Sequence, residues 1–218
     1  CVGDYHTDQA PLQIGQFESG NEMDDAFAAM ALEGNGGGTN QESYELALWY
    51  FAHRVEMDCL SKRGEKGLLF IIGDEQPYPV VSAKQVEKIC GVRLQADVPV
   101  AQVMDDLRRK FEVFFVLPSG THNYNNPTIR DAWAALVGPE RVIKLDDPDA
   151  VCESMAAIVG LMEGTTDGQE EVNGLALVNG IGGNMQKRYA NGPGRLAAQL
   201  VAQLQADDHS PDIVGGEA

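Results

Sequence analysis

The sequence predicts an α/β fold: a doubly wound, mainly parallel sheet covered by helices on both faces, with a C-terminal helical tail. Three observations predict it. Short, continuous apolar runs recur along the chain at Leu68-Leu69-Phe70-Ile71-Ile72, at Val113 to Leu117 and, more briefly, at Val142-Ile143. Gly73-Asp74 stops the first run and Pro118 the second, and unbroken apolar runs of this length suit strands buried on both faces, as in a parallel sheet. Stretches with helical spacing separate the runs, and strands alternating with helices specify a sheet with a layer on each side. A chain of 218 residues can bury one sizeable core, so one domain over 1–163 and an appendage over 164–218 are expected.

The elements follow in order. Cys1-Val2-Gly3 reads as a strand end leading into Asp4-Tyr5-His6-Thr7-Asp8, and Ala10-Pro11 breaks the pattern before a second, mixed strand over 12–17 that should lie antiparallel at one side of the sheet. Phe27, Met30 and Leu32 are spaced for a helix over 23–32, which the Gly-rich run 34–38 ends. Tyr44, Leu46, Leu48, Phe51 and Val55 give the next helix a broad apolar face. The run at 68–72 should be a strand close to the centre of the sheet. Helices are expected over 83–90, 100–110, 128–136 and 150–162, alternating with the strands at 113–117 and 142–143. Asp147 followed by Pro148 reads as a capping residue and a first-turn proline. Past Met162, Glu163-Gly164-Thr165-Thr166-Asp167-Gly168 is linker-like, and the tail carries one amphipathic helix over 195–205, on which Leu196, Leu200, Val201 and Leu204 share a face.

Charge and cysteine usage narrow the function classes. With 44% hydrophobic and 22% charged residues the chain is neither disordered throughout nor fibrous. Acidic residues outnumber basic ones 33 to 16, and a net charge of −17 without a gathered basic stretch argues against nucleic acid. Such a surface suits divalent cations, basic protein partners or simple solubility. Cys1, Cys59, Cys90 and Cys152 lack the close pairing of a zinc site or redox dithiol and are expected to be reduced core residues. No apolar run approaches the roughly 20 residues that span a bilayer, and no signal pattern opens the chain, so a cytoplasmic protein without membrane contact is expected.

In open α/β sheets ligands collect at the carboxyl ends of the strands. That rule selects Asp4, His6 and Asp8 after the first run, Asp74 and Glu75 after the second, and the polar loop Ser119 to Pro127 after the third. Gly36-Gly37-Gly38-Thr39 would lie at the same rim. Thr39-Asn40-Gln41-Glu42 also fits a capping box, so Thr39 reads equally as a helix cap and as a ligand. Asp4, His6 and Asp8 could reach that rim, but a solvated turn explains them more cheaply. Neither a Gly-x-Ser-x-Gly elbow nor a phosphate-binding Gly-Lys-Ser/Thr loop occurs, and Gly180-Ile181-Gly182-Gly183 lacks a strand-to-helix setting.

Gly36-Gly37-Gly38-Thr39 before a helix, followed by a strand ending in Gly73-Asp74, resembles the second and third metal-site loops of von Willebrand factor A-type domains. The resemblance covers Cys1 to about Met162. The phrases Gly-Gly-Gly-Thr-Asn-Gln-Glu-Ser-Tyr, Ile-Ile-Gly-Asp-Glu and Gly-Asp-Tyr-His look most like intracellular bacterial and phage members. It implies a three-layer α/β/α fold and a metal-ion-dependent adhesion site holding Mg2+, with Thr39 and Asp74 as ligands and Asp4, His6, Asp8 and Glu75 as further rim residues. Magnesium takes oxygen ligands in a tight octahedron and leaves a vertex for an acidic group, here a partner's carboxylate.

One departure is plain: the family's Asp-x-Ser-x-Ser motif is absent, as are its first strand and following helix. An upstream segment or a second chain is therefore expected to complete the sheet beside 68–72. The function implied is an intracellular protein–protein interaction module, an adaptor or assembly component and not an enzyme. Two alternatives stand beside it. One is a metal-dependent hydrolase with Asp4, His6, Asp8 and Asp74 around a cation; the other is a structural component whose metal site has decayed.

Overall fold

The computed structural model describes residues 1–33 and 39–163. The chain opens with an isolated antiparallel bridge between Val2 and Leu12. Helix α1 (Glu22–Ala28) follows, then a two-residue strand β1 (Gln41–Glu42) and helix α2 (Tyr44–Arg54). A π-helical turn, Cys59–Arg63, leads into β2 (Gly67–Ile72). Short strands β3 (Gln76–Pro77) and β4 (Val80–Val81) precede α3 (Ala83–Cys90), and β5 (Val98–Pro99) precedes α4 (Val100–Leu107). The remainder is β6 (Phe111–Pro118), α5 (Pro127–Val137), β7 (Val142–Leu145) and α6 (Val151–Met162).

The fold is mixed α/β, and its pairings are mainly parallel. β2, β6 and β7 form a three-stranded sheet in that order, parallel throughout, with Leu69 opposite Val113 and Val116 opposite Ile143. β1 pairs with β3 in parallel and β4 with β5 antiparallel. Alternation along β6 sends Val113, Phe115 and Leu117 into one core, with Leu48 of α2, Leu107 of α4 and Trp133 of α5. The opposite face carries Phe114 and Val116 with Ile143, Leu145 and Ile158 of α6. Helices thus cover both faces, which is why β6 is apolar at nearly every position.

Several expectations need correction. Leu68–Ile72 belongs to a strand at the edge of the described sheet, and the centre is β6. Residues 12–17 form no strand beyond the bridge at Leu12; Phe17 is 68% exposed, because no neighbouring strand pairs with this segment. The helix expected over 23–32 stops at Ala28, leaving Leu32 exposed. None of the cysteines is fully buried; all are free, with Cys1 and Cys152 exposed. The Gly-rich run 34–38, the amphipathic helix over 195–205 and Gly180–Gly183 lie outside the described residues. Among the described residues no helix is long and apolar enough to cross a membrane.

The local devices around 147 and 126 behave as their sequences require. Asp147 accepts from the Asp149 amide at 3.0 Å, with Pro148 opening the turn. Asn126 accepts from Thr128 at 3.1 Å and caps α5 ahead of Pro127.

Candidate functional site: a carboxylate rim at the end of β2

β2 ends at Ile72, and the chain turns through Gly73-Asp74-Glu75. Only glycine fits at 73, since a Cβ there would collide with the Tyr44 hydroxyl. Close approach of α2 to the strand end is therefore built in at this position. Trp133 of α5 fixes the next residue by donating from Nε1 to the Glu75 carbonyl at 2.8 Å, and its ring stacks on Phe115 at 4.3 Å.

The segment holding Thr39 is brought to the same place by the β1–β3 pair. Gln41 lies opposite Gln76, and the Gln76 amide donates to the Asn40 carbonyl at 3.2 Å. This pairing sets the Thr39 segment alongside the Asp74 segment. Asn123, buried in the loop after β6, ties them further: its amide donates to Asp74 Oδ2 at 3.1 Å and its Nδ2 to Asn40 Oδ1 at 3.3 Å. The Thr39 hydroxyl donates to the Gln41 carbonyl at 3.1 Å and lies in reach of the Tyr78 hydroxyl. The expected capping box does not form. Pairing of Gln41–Glu42 with β3 delays the helix to Tyr44, so Ser43 takes the N-cap position without a side-chain cap bond.

Asp4 reaches the rim from the opening segment and is buried, at 1% exposure. Its carboxylate accepts from the Tyr78 hydroxyl at 3.2 Å and from the His6 amide at 3.0 Å. Asp8 folds back to accept from the Asp4 amide at 2.8 Å. His6 is exposed, with its ring edge-on to Tyr5 and Tyr78, at centroid distances of 5.5 and 5.2 Å. It joins the rim through its backbone and an aromatic contact.

Glu42, expected only as a member of a capping box, and Glu45, which no sequence pattern singled out, dominate the electrostatics. Burial, reinforced by Glu75, Asp8 and Asp4, pushes the Glu42 carboxyl up to about 8. Glu45, fully buried in the first turn of α2, is also pushed up to about 8 by burial, with backbone amides pulling the other way and Asp4 and Glu42 adding repulsion. The Tyr78 amide donates to Glu45 Oε2 at 3.3 Å, while Glu45 Oε1 and Glu42 Oε2 are buried without a hydrogen-bond partner among the described residues. Glu75 is raised by burial and by Asp74, and Tyr44 by burial and then by Glu42 and Asp74. None of the ion pairs among the described residues involves Asp4, Asp8, Glu42, Glu45, Asp74 or Glu75. The rim is a convergence of carboxylates that the described cations do not neutralise.

Of the residues selected from sequence, Asp4, Asp8, Asp74 and Glu75 interact at this rim, with Thr39 beside them. Their oxygens suit a hard cation by type. Among the described residues, however, no group of three or more His, Cys, Asp or Glu side chains is arranged to hold a metal ion. One oxygen of Asp74 is already engaged by Asn123, and both oxygens of Asp4 face Tyr78. Glu42 is legible only as a capping-box residue, and Glu45 and Tyr78 leave no sequence signal except proximity to Thr39 and Asp74. Compared with known proteins, the chain matches no family model, no curated protein and no solved structure.

Proposed function

We propose that this chain is a protein-interaction module whose contact surface is the carboxylate rim at the end of β2, where it receives positive charge offered by a partner. One observation carries the reading: Asp4, Asp8, Glu42, Glu45, Asp74 and Glu75 converge without an ion pair among the described residues, and burial and mutual repulsion raise Glu42 to about 8. Holding these carboxyls together keeps Glu42 and Glu45 protonated up to about pH 8, and a cation entering the cluster favours their ionised form and supplies hydrogen-bond donors. A lysine or arginine side chain supplies the charge and the donors together.

A second reading is favoured by the β1–β3 pairing, which sets Thr39 alongside Asp74. In it, Mg2+ bound by Thr39 and Asp74 bridges to a partner's carboxylate, within the three-layer fold of a von Willebrand factor A-type domain. The remaining ligands of the octahedron then come from water and from another segment or chain.

Calorimetric titration separates the two. The protein is titrated with Mg2+ and, in parallel, with an unstructured Gly/Ser peptide carrying one lysine; Asp74→Ala and Glu75→Gln serve as controls. Saturable binding of the lysine peptide, weakened at least tenfold by Glu75→Gln, supports the first reading. Saturable Mg2+ binding lost in Asp74→Ala supports the second. Failure of both titrants to bind removes the rim as the functional surface.

A further inference from the structure

Beside β2, on the side away from β6, lies a cavity of about 380 Å3. Its floor is α2, through Ala47, Leu48 and Phe51; one wall is β2, through Leu69 and Ile71, and the other is Val2. Both walls present backbone groups to it. The Gly67 amide donates to the Lys110 carbonyl and the Gly73 amide to the Val116 carbonyl, so this parity of β2 faces β6. Successive residues of a strand point their N–H and C=O groups to opposite sides, which turns those of Leu68, Phe70 and Ile72 into the cavity. On the other wall Gly3 donates to the Pro11 carbonyl and Gln13 to the Cys1 carbonyl, which turns the N–H and C=O of Val2 away from Leu12.

The outward row of backbone groups on β2 borders an apolar floor, with the backbone of Val2 across the cavity, and such an open edge can take one more strand about 4.8 Å from β2. The slot opens at the rim. Tyr44 lines it and is also the side chain on which Glu42, Asp74 and Glu75 act. An inserted segment continuing the parallel sheet would bring its C-terminal end to those carboxylates, which lack an ion pair among the described residues.

We infer that this slot takes an extended apolar segment of a partner polypeptide, running parallel to β2 and ending in a lysine or arginine at the carboxylate rim. The slot supplies backbone hydrogen bonds and apolar contact for affinity, as in other strand additions to an open edge. The rim supplies a charge preference that fixes direction. For its charged end the inference rests on the rim being the contact surface; for its strand it rests on the slot alone.

The test uses the full chain and a pool of decapeptides, with alternate positions randomised among Val, Ile, Leu, Phe and Thr and the last residue fixed as Lys, against a matched pool ending in Glu. Expected is at least tenfold greater retention of the Lys pool, with amide exchange at Val2, Leu68 and Phe70 slowed at least tenfold. Both effects should vanish in Ala47→Trp, which fills the floor, and weaken at least tenfold in Ile72→Pro, which removes one outward amide; circular dichroism confirms that each variant is folded. Retention unchanged in both folded variants overturns the slot while leaving the rim reading intact. Equal retention of the two pools overturns the charged end, and with it the rim reading. Protection of Leu68 and Phe70 before any peptide is added means that the chain itself fills the slot, and a concentration-dependent dimer protecting the same amides means that a second copy does. Either result overturns the inference, as does failure to retain either pool.

Discussion

Glu42 and Glu45 are carboxyls held where water solvates them poorly and where other carboxylates face them. Both are raised to about 8, so between their ordinary range near 4.5 and pH 8 the folded protein binds more protons than the unfolded chain. Stability therefore falls as pH rises through that window. Melting temperature should be higher at pH 5.5 than at pH 8.5, and the double substitution Glu42→Gln, Glu45→Gln should flatten the difference. A melting temperature independent of pH across this window would count against the buried cluster. Asp4 makes the opposite demand, because its buried carboxylate needs donors. Tyr78→Phe removes one and should cost about 1–3 kcal/mol in denaturant unfolding. Asp74 and Thr39 could be read from sequence because each sits at an end of a recognisable pattern. Glu42 could be read only as a helix-capping residue, and Glu45 and Tyr78 not at all, since their convergence depends on β1 pairing with β3, which joins residues 35 positions apart in a register two residues long.

At the scale of elements, apolar runs sufficed to locate β2, β6 and β7, and helical spacing sufficed for α2 to α6. What the pattern could not give was order within the sheet. Leu68-Leu69-Phe70-Ile71-Ile72 is as apolar as the centre of β6, and apolarity alone suggested a central strand; yet the described sheet leaves one side of β2 unpaired. The physical reason is that α2 covers the Leu69 and Ile71 face while Leu68 and Phe70 pack into the cluster beneath α6, so both faces are shielded without a bond to the outer edge. Amide exchange should display that asymmetry, with Leu69 and Ile71 slow and Leu68 and Phe70 faster in the free protein. Equal protection on both parities would contradict an open edge. The strand expected over 12–17 failed for a related reason: alternation permits a strand, but only a neighbour makes one. α5 ties the elements to the rim through the Trp133 indole. Trp133→Phe should lose about 1–3 kcal/mol by orphaning the Glu75 carbonyl, measured by denaturant unfolding.

For the molecule as a whole, a net charge of −17 gives every basic ligand a weak, diffuse attraction, and binding at the rim must exceed that background. Salt separates the two contributions, because screening at about 1 M ionic strength confines exposed charges to a range of about 3 Å while buried carboxylates are screened much less. The most direct measurement is a backbone and side-chain NMR titration of the full chain with the single-lysine Gly/Ser peptide at low and high salt. Saturable shifts confined to Asp4, Glu42, Tyr44, Asp74, Glu75 and Tyr78, persisting at high salt and absent in Glu75→Gln, are the predicted result. Shifts spread over the acidic surface, disappearing with salt and unchanged by Glu75→Gln, would contradict it.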